Sequence, residues 1–79
     1  MTPKERAEAI VQRLSRKHKL PEEVLHTIRR LATHVAFRKE VYTALRDDGL
    51  TYGAIARRFG QKRGSVRACI NPTYVKVKK

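Results

Sequence analysis

Apolar residues recur every three to four positions along almost the whole chain, the spacing that lines one face of an α-helix. Ala7, Ile10, Val11 and Leu14 make one such stripe. Val24, Leu25, Ile28, Leu31, Ala32 and Val35 make a second, and Phe37, Val41, Ala44 and Leu45 continue at helical spacing. With 79 residues there is room for a single core. The predicted fold class is therefore all-α: a small helical domain of four to five helices over 1–72, followed by a short basic tail or strand over 73–79.

Punctuation residues divide the helical pattern. Thr2 can cap, Pro3 suits a first turn and Glu5 complements the helix dipole, so a helix is predicted over 3–17. Arg13, Arg16, Lys17 and Lys19 gather towards its C-terminal end, where that dipole favours them. Leu20-Pro21 interrupts the pattern, and Glu22 and Glu23 suit a new first turn. From Glu22 to Asp47 there is neither Gly nor Pro. One long helix satisfies this stretch; so does a break near Thr33-His34 with Thr33 as a fresh cap. Asp47-Asp48-Gly49 stops the helix, and Asn71-Pro72 ends the last one. The stretch 73–79 is β-prone and basic, suited to an edge strand, a partner-pairing strand or a disordered tail.

Charge is distributed unevenly. Nineteen Lys and Arg stand against seven Asp and Glu, a net charge of +12. Eleven of the bases and all seven acids (Glu5, Glu8, Glu22, Glu23, Glu40, Asp47 and Asp48) precede Gly49. The remaining eight bases, Arg57, Arg58, Lys62, Arg63, Arg67, Lys76, Lys78 and Lys79, follow it with no acid among them. Acids beside a phosphate surface oppose binding, so the acid-free half is the expected contact region for nucleic acid.

The same half contains a recognisable arrangement over 51–70. A helix-turn-helix packs two short helices steeply through a tight turn. It needs a cap on the first helix, here Thr51, and a small residue midway for close approach, here Ala56. It needs a turn residue tolerant of positive φ, here Gly60, and apolar anchors on the second helix, here Val66, Cys69 and Ile70, facing Ile55 and Phe59. Gln61 departs from the pattern, because an apolar residue usually follows the turn glycine. Its expected consequence is either a looser start to the second helix or an amide aimed at nucleic acid. The N-terminal part of such a second helix enters the major groove. Its outward residues, Gln61, Lys62, Arg63, Gly64, Ser65 and Arg67, are the expected base readers. Arg57 and Arg58 on the first helix, with Thr51 and Tyr52 at its start and Lys76, Lys78 and Lys79 beyond it, are expected at phosphates.

From about Ile10 to Ile70 the layout resembles the C-terminal DNA-binding domain of the bacterial replication initiator DnaA, of the Trp-repressor-like superfamily. His18-Lys-Leu-Pro-Glu-Glu-Val-Leu25 is similar to that family's link between its first two helices. Arg29-Arg30 stands where the family has a basic loop, and the resemblance implies that these two reach the minor groove. Phe37-Arg-Lys-Glu-Val-Tyr-Thr-Ala-Leu45 resembles its central helix, which implies phosphate contacts for Arg38 and Lys39. Ile55, Phe59-Gly60 and Ala68-Cys69 match its helix-turn-helix. The likeness stops at the recognition helix: the family reads its site with an Asp-His-Thr run, and Arg63-Gly64-Ser65 stands here. No glycine-lysine phosphate loop is present in this sequence, so a stand-alone small regulator is expected and not a full initiator. A weaker likeness is to small phage or plasmid regulators and sigma-factor region 4.

Other chemistries have little to stand on. His18, His26 and His34 repeat every eight residues, which is not a ligand spacing, so no metal is expected. Cys69, the single cysteine, lies on the inner face of a predicted helix and suits packing in a reducing compartment. Of the tyrosines, Tyr42 is expected in the core. No catalytic constellation, cofactor motif or small-molecule site is evident, so an enzyme is not expected. No apolar run nears the ~20 residues that span a bilayer, and no signal-peptide core follows Met1; a cytoplasmic, nucleoid-associated protein is expected. The function expected is duplex DNA binding by a transcriptional or replication regulator of the kind phages and plasmids encode, with a homodimer on a two-fold site as one arrangement. The alternatives are an adaptor for an acidic protein and an RNA-binding module, the latter short of aromatic platforms.

Overall fold

The structure, a computed structural model, describes residues 2–27 and 31–71. Helix α1 (Pro3–His18) starts on a complete capping box: the Thr2 hydroxyl accepts from the Glu5 amide, and the Glu5 carboxylate accepts from the Thr2 amide. It ends on Lys19, whose left-handed φ of 56° lets the Leu20 amide reach back to the Ser15 carbonyl at 3.1 Å. Ala7, Val11 and Leu14 are its buried stripe. A 3-10 turn (Glu22–His26) follows, then α2 (Ala32–Asp47), α3 (Tyr52–Phe59) and α4 (Arg63–Ile70). The domain is all-α, and no strand occurs among the described residues.

The stretch 22–47 is neither one helix nor two divided at Thr33. The 3-10 turn buries Val24 and Leu25, and α2 begins after Leu31, which offers no side-chain cap. The cause is distant. In a continuous helix the carbonyls of Leu25 and Thr27 would accept the amides four residues on. Here they accept side chains instead: Tyr42 Oη donates to Leu25 O at 2.7 Å, and Gln61 Nε2 donates to Leu25 O and Thr27 O at 3.1 and 3.0 Å. Thr27 is extended, with its hydroxyl donating to Val24 O. Leu31 and Val35, expected on a buried face, are consequently exposed. Ile28 lies outside the described residues.

Helices α1 and α2 run antiparallel. Arg6 meets Asp48 at 2.8 Å at one end, and Lys17 and His18 meet Glu40 at 2.8 and 2.7 Å towards the other. The bonds from Lys17 and His18 hold the Glu40 carboxyl below its ordinary range. Such exposed pairs set register more than stability. Phe37, Val41, Tyr42 and Leu45 of α2 form the centre of the core, against α1, the 3-10 turn, Ile55, Ala56 and Phe59 of α3, and Val66 of α4. Helix α2 stops at Asp48-Gly49 as expected, with φ of 110° at Gly49 and the Leu50 amide bonded to Leu45 O. The tail 73–79, and with it Pro72, lies outside the described residues.

Candidate nucleic-acid interface

Helices α3 and α4 are joined by three residues, and local chemistry explains each step. Thr51 is extended, and its hydroxyl accepts the Ala54 amide at 3.1 Å. Gly60 ends α3 in the left-handed region at φ 66°, with its amide on Ala56 O. The Gln61 amide reaches the same carbonyl at 2.9 Å. Lys62 then turns the chain into α4, its carbonyl accepting from Ser65 and Val66. Ile55, Ala56, Phe59 and Val66 are buried where the helices meet, and Cys69 and Ile70 pack on them partly. The rings of His26 and Tyr42 lie 5.3 and 5.5 Å from that of Phe59, tying the unit to the 3-10 turn and to α2.

Three expected contact residues are turned towards the protein instead. The Gln61 amide is held by Leu25 and Thr27, so Gln61 is an internal latch and not an outward base reader; this also secures the turn that its polarity was expected to loosen. Arg38, expected at phosphate, is 8% exposed, on the α2 face that packs beside Tyr42 and α4. Arg58 on α3 is directed to α1: its guanidinium is 4.0 Å from Glu8 and lies over the Phe59 ring. In each case the sequence shows a polar residue in or beside a helix, whereas only the packing of a remote element shows which way it faces.

The other expected residues form an exposed set. Lys62, Arg63, Gly64, Ser65 and Arg67 line the open side of α4, and Thr51, Arg57 and Lys39 are exposed on their own elements. Gly64 has open space around the position a Cβ would take. Helix α4, like α2, begins with no side-chain cap and no acid in its first turn, but only α4 opens on two cations, Lys62 and Arg63. Tyr52, at the start of α3, has two guanidinium groups over its ring, Arg46 at 4.9 Å and Arg67 at 5.6 Å from the centroid. Nothing in the position of Arg46 at the end of α2 distinguishes it in sequence from an ordinary base in a last helical turn. Arg29, Arg30, Lys76, Lys78 and Lys79 lie outside the described residues.

Titration chemistry points inward. Burial, with the nearby Cys69 thiol second, pushes Tyr42 up to about 12. Burial likewise raises the Cys69 thiol, against a smaller opposite pull from Arg38 and Lys39, and a thiol kept protonated is a poor nucleophile. Among the described residues no three His, Cys, Asp or Glu side chains gather as a metal site, and no helix is long and apolar enough to cross a membrane. His18 packs beside Phe37 and His26 beside Phe59, each also near a glutamate. No protein family, curated protein or solved structure matches this chain.

Proposed function

We propose that the protein binds double-stranded DNA, with α3 and α4 acting as a helix-turn-helix and the exposed start of α4 entering the major groove. The observation that carries this is the electrostatic inversion at that helix start. Acidic residues and capping hydroxyls favour the positive end of a helix. Helix α1 has both, in Thr2 and Glu5. Helix α4 has neither, and opens on Lys62 and Arg63. Uncapped amides and two cations on an exposed, acid-free helix start form a surface suited to a polyanion. Lys62 and Arg63 suit guanine edges, and Ser65 suits either purine. Gly64 keeps a gap in which nucleic-acid backbone or a base edge can approach closely.

The regulatory role follows as part of the same reading: a domain of this size with base-reading side chains acts on transcription or replication by occupying a site. The sequence layout that resembles the DnaA C-terminal domain belongs to the same reading, in the order of its elements and not in its reading residues. Two copies on a two-fold site would raise affinity and lengthen the sequence read. Selection of bound duplexes from a random pool tests the proposal. A recovered motif of a few base pairs, single or mirrored, is expected. Recovery of no preferred duplex, with tighter binding to single-stranded RNA or to an acidic protein, would replace it with one of those functions.

A further inference from the structure

We infer that Arg46, at the end of α2, forms with Tyr52 and Arg67 a preorganised site for the sugar–phosphate backbone of duplex DNA, so that Arg67 is a backbone contact and not a base reader. The inference rests on the duplex-binding reading above and adds a contact from outside the helix-turn-helix. Three elements converge here. Both guanidinium groups lie within cation–π range of the Tyr52 ring, at 4.9 and 5.6 Å. Arg46 is fixed a second time, by Nη1 donating to Leu50 O at 3.3 Å. The stem of Arg63 runs alongside, with Cδ 3.9 Å from the position of a Cβ on Gly53.

Two guanidinium groups, with the Arg63 stem beside them, thus sit at the first turn of α3, itself the positive end of a helix dipole. The ion pairs between described residues engage Arg6, Lys17, His18, His26 and Arg58, and leave Arg46 and Arg63 out. Like charges at a positive helix end repel one another, and an anion placed among them relieves the repulsion. Stacking on one ring restricts Arg46 and Arg67 before any ligand arrives, so less side-chain freedom is lost on binding. Planar forked donors match phosphate oxygens. The stack also draws Arg67 sideways onto α3, whereas Lys62, Arg63 and Ser65 keep the exposed start of α4.

Fluorescence anisotropy of the full chain tests this, using a selected and a random duplex over a range of salt, with inorganic phosphate as competitor. Arg46→Ala and Arg67→Ala should each weaken both duplexes by the same factor, about five-fold, and flatten the log affinity against log salt slope by about one. Arg46→Gln keeps a donor for Leu50 O and should lose the same slope if the alanine variant folds poorly by circular dichroism. Tyr52→Leu should keep the slope yet weaken both duplexes several-fold. Inorganic phosphate should compete no better than chloride at equal ionic strength. Unchanged affinity and slope in a folded Arg46 variant would overturn the inference while leaving duplex binding intact. A loss confined to the selected duplex would return Arg67 to base reading and overturn its half. Strong competition by inorganic phosphate would make this a free-anion site, and a wild-type chain that ignores duplex DNA would end both readings.

Discussion

Removing the side-chain donors that hold Leu25 O, singly and together, is a sharp test of how the helix-turn-helix is fastened to the domain. Tyr42 is 2% exposed and Leu25 fully buried. Tyr42 Oη and Gln61 Nε2 both donate to Leu25 O, at 2.7 and 3.1 Å, and Gln61 also serves Thr27 O at 3.0 Å. Tyr42→Phe removes one bond and leaves Leu25 O with Gln61, a loss of about 1 kcal/mol. Gln61→Ala removes two bonds but leaves Leu25 O with Tyr42, a loss of about 1–2 kcal/mol. The double variant takes both side-chain donors from one buried carbonyl, and an orphaned buried acceptor costs about 1–3 kcal/mol. Its destabilisation should therefore exceed the sum of the single effects by about 1 kcal/mol. In a domain of this size each kcal/mol moves Tm by roughly 4–8 °C. Urea denaturation at constant m-value gives all four corners of the cycle. Additivity within about 0.3 kcal/mol would refute the shared carbonyl, and with it the explanation for the break between the 3-10 turn and α2.

Other expectations follow from single residues. Gly64→Ala should raise stability by up to about 1 kcal/mol, because Gly64 is helical and a Cβ there meets nothing, yet weaken duplex binding where the gap admits DNA; urea denaturation and anisotropy read the two effects separately. Arg57→Ala should flatten the salt slope of binding by about one, whereas Arg58→Ala should leave it unchanged because Arg58 faces Glu8; equal slopes for both variants would contradict that placement. With its folded value raised from 10.0 to about 12, Tyr42 contributes stability that is complete below pH 10 and lost as pH climbs towards 12. In denaturation from pH 8 to 12 the advantage of wild type over Tyr42→Phe should shrink above pH 10 and be gone before pH 12, and a constant gap would contradict the burial of that hydroxyl.

Much of the fold was legible because its signals are local. Thr2, Pro3 and Glu5 start α1, Asp48 and Gly49 stop α2, and Thr51 and Gly60 bound α3, each acting on neighbours within a turn; Ala56 and Val66 meet across one three-residue connection. The segment 22–31 was not legible. Its periodicity is helical, but the donors that redirect its carbonyls come from Tyr42 and Gln61, 17 and 36 residues from Leu25. The candidate interface divides the same way. That Gly64 and Ser65 are outward follows from their offsets to Val66, the buried anchor, whereas Lys62 and Arg63, four and three residues before it, are exposed because they open the helix. Arg38, Arg58 and Gln61 carry the same polar character yet face inward, because α4, α1 and the 3-10 turn respectively lie against them. Arg46 was invisible for the converse reason: its ring partner stands in a different helix, beyond the Gly49 turn.

Duplex DNA binding by the acid-free α3–α4 unit is a claim about phosphate contacts, and the salt dependence of affinity counts those contacts. With about five to seven phosphates engaged, log affinity should fall linearly with log salt at a slope of about −5 to −6. Affinity for duplex DNA that stays flat as salt rises would contradict the claim.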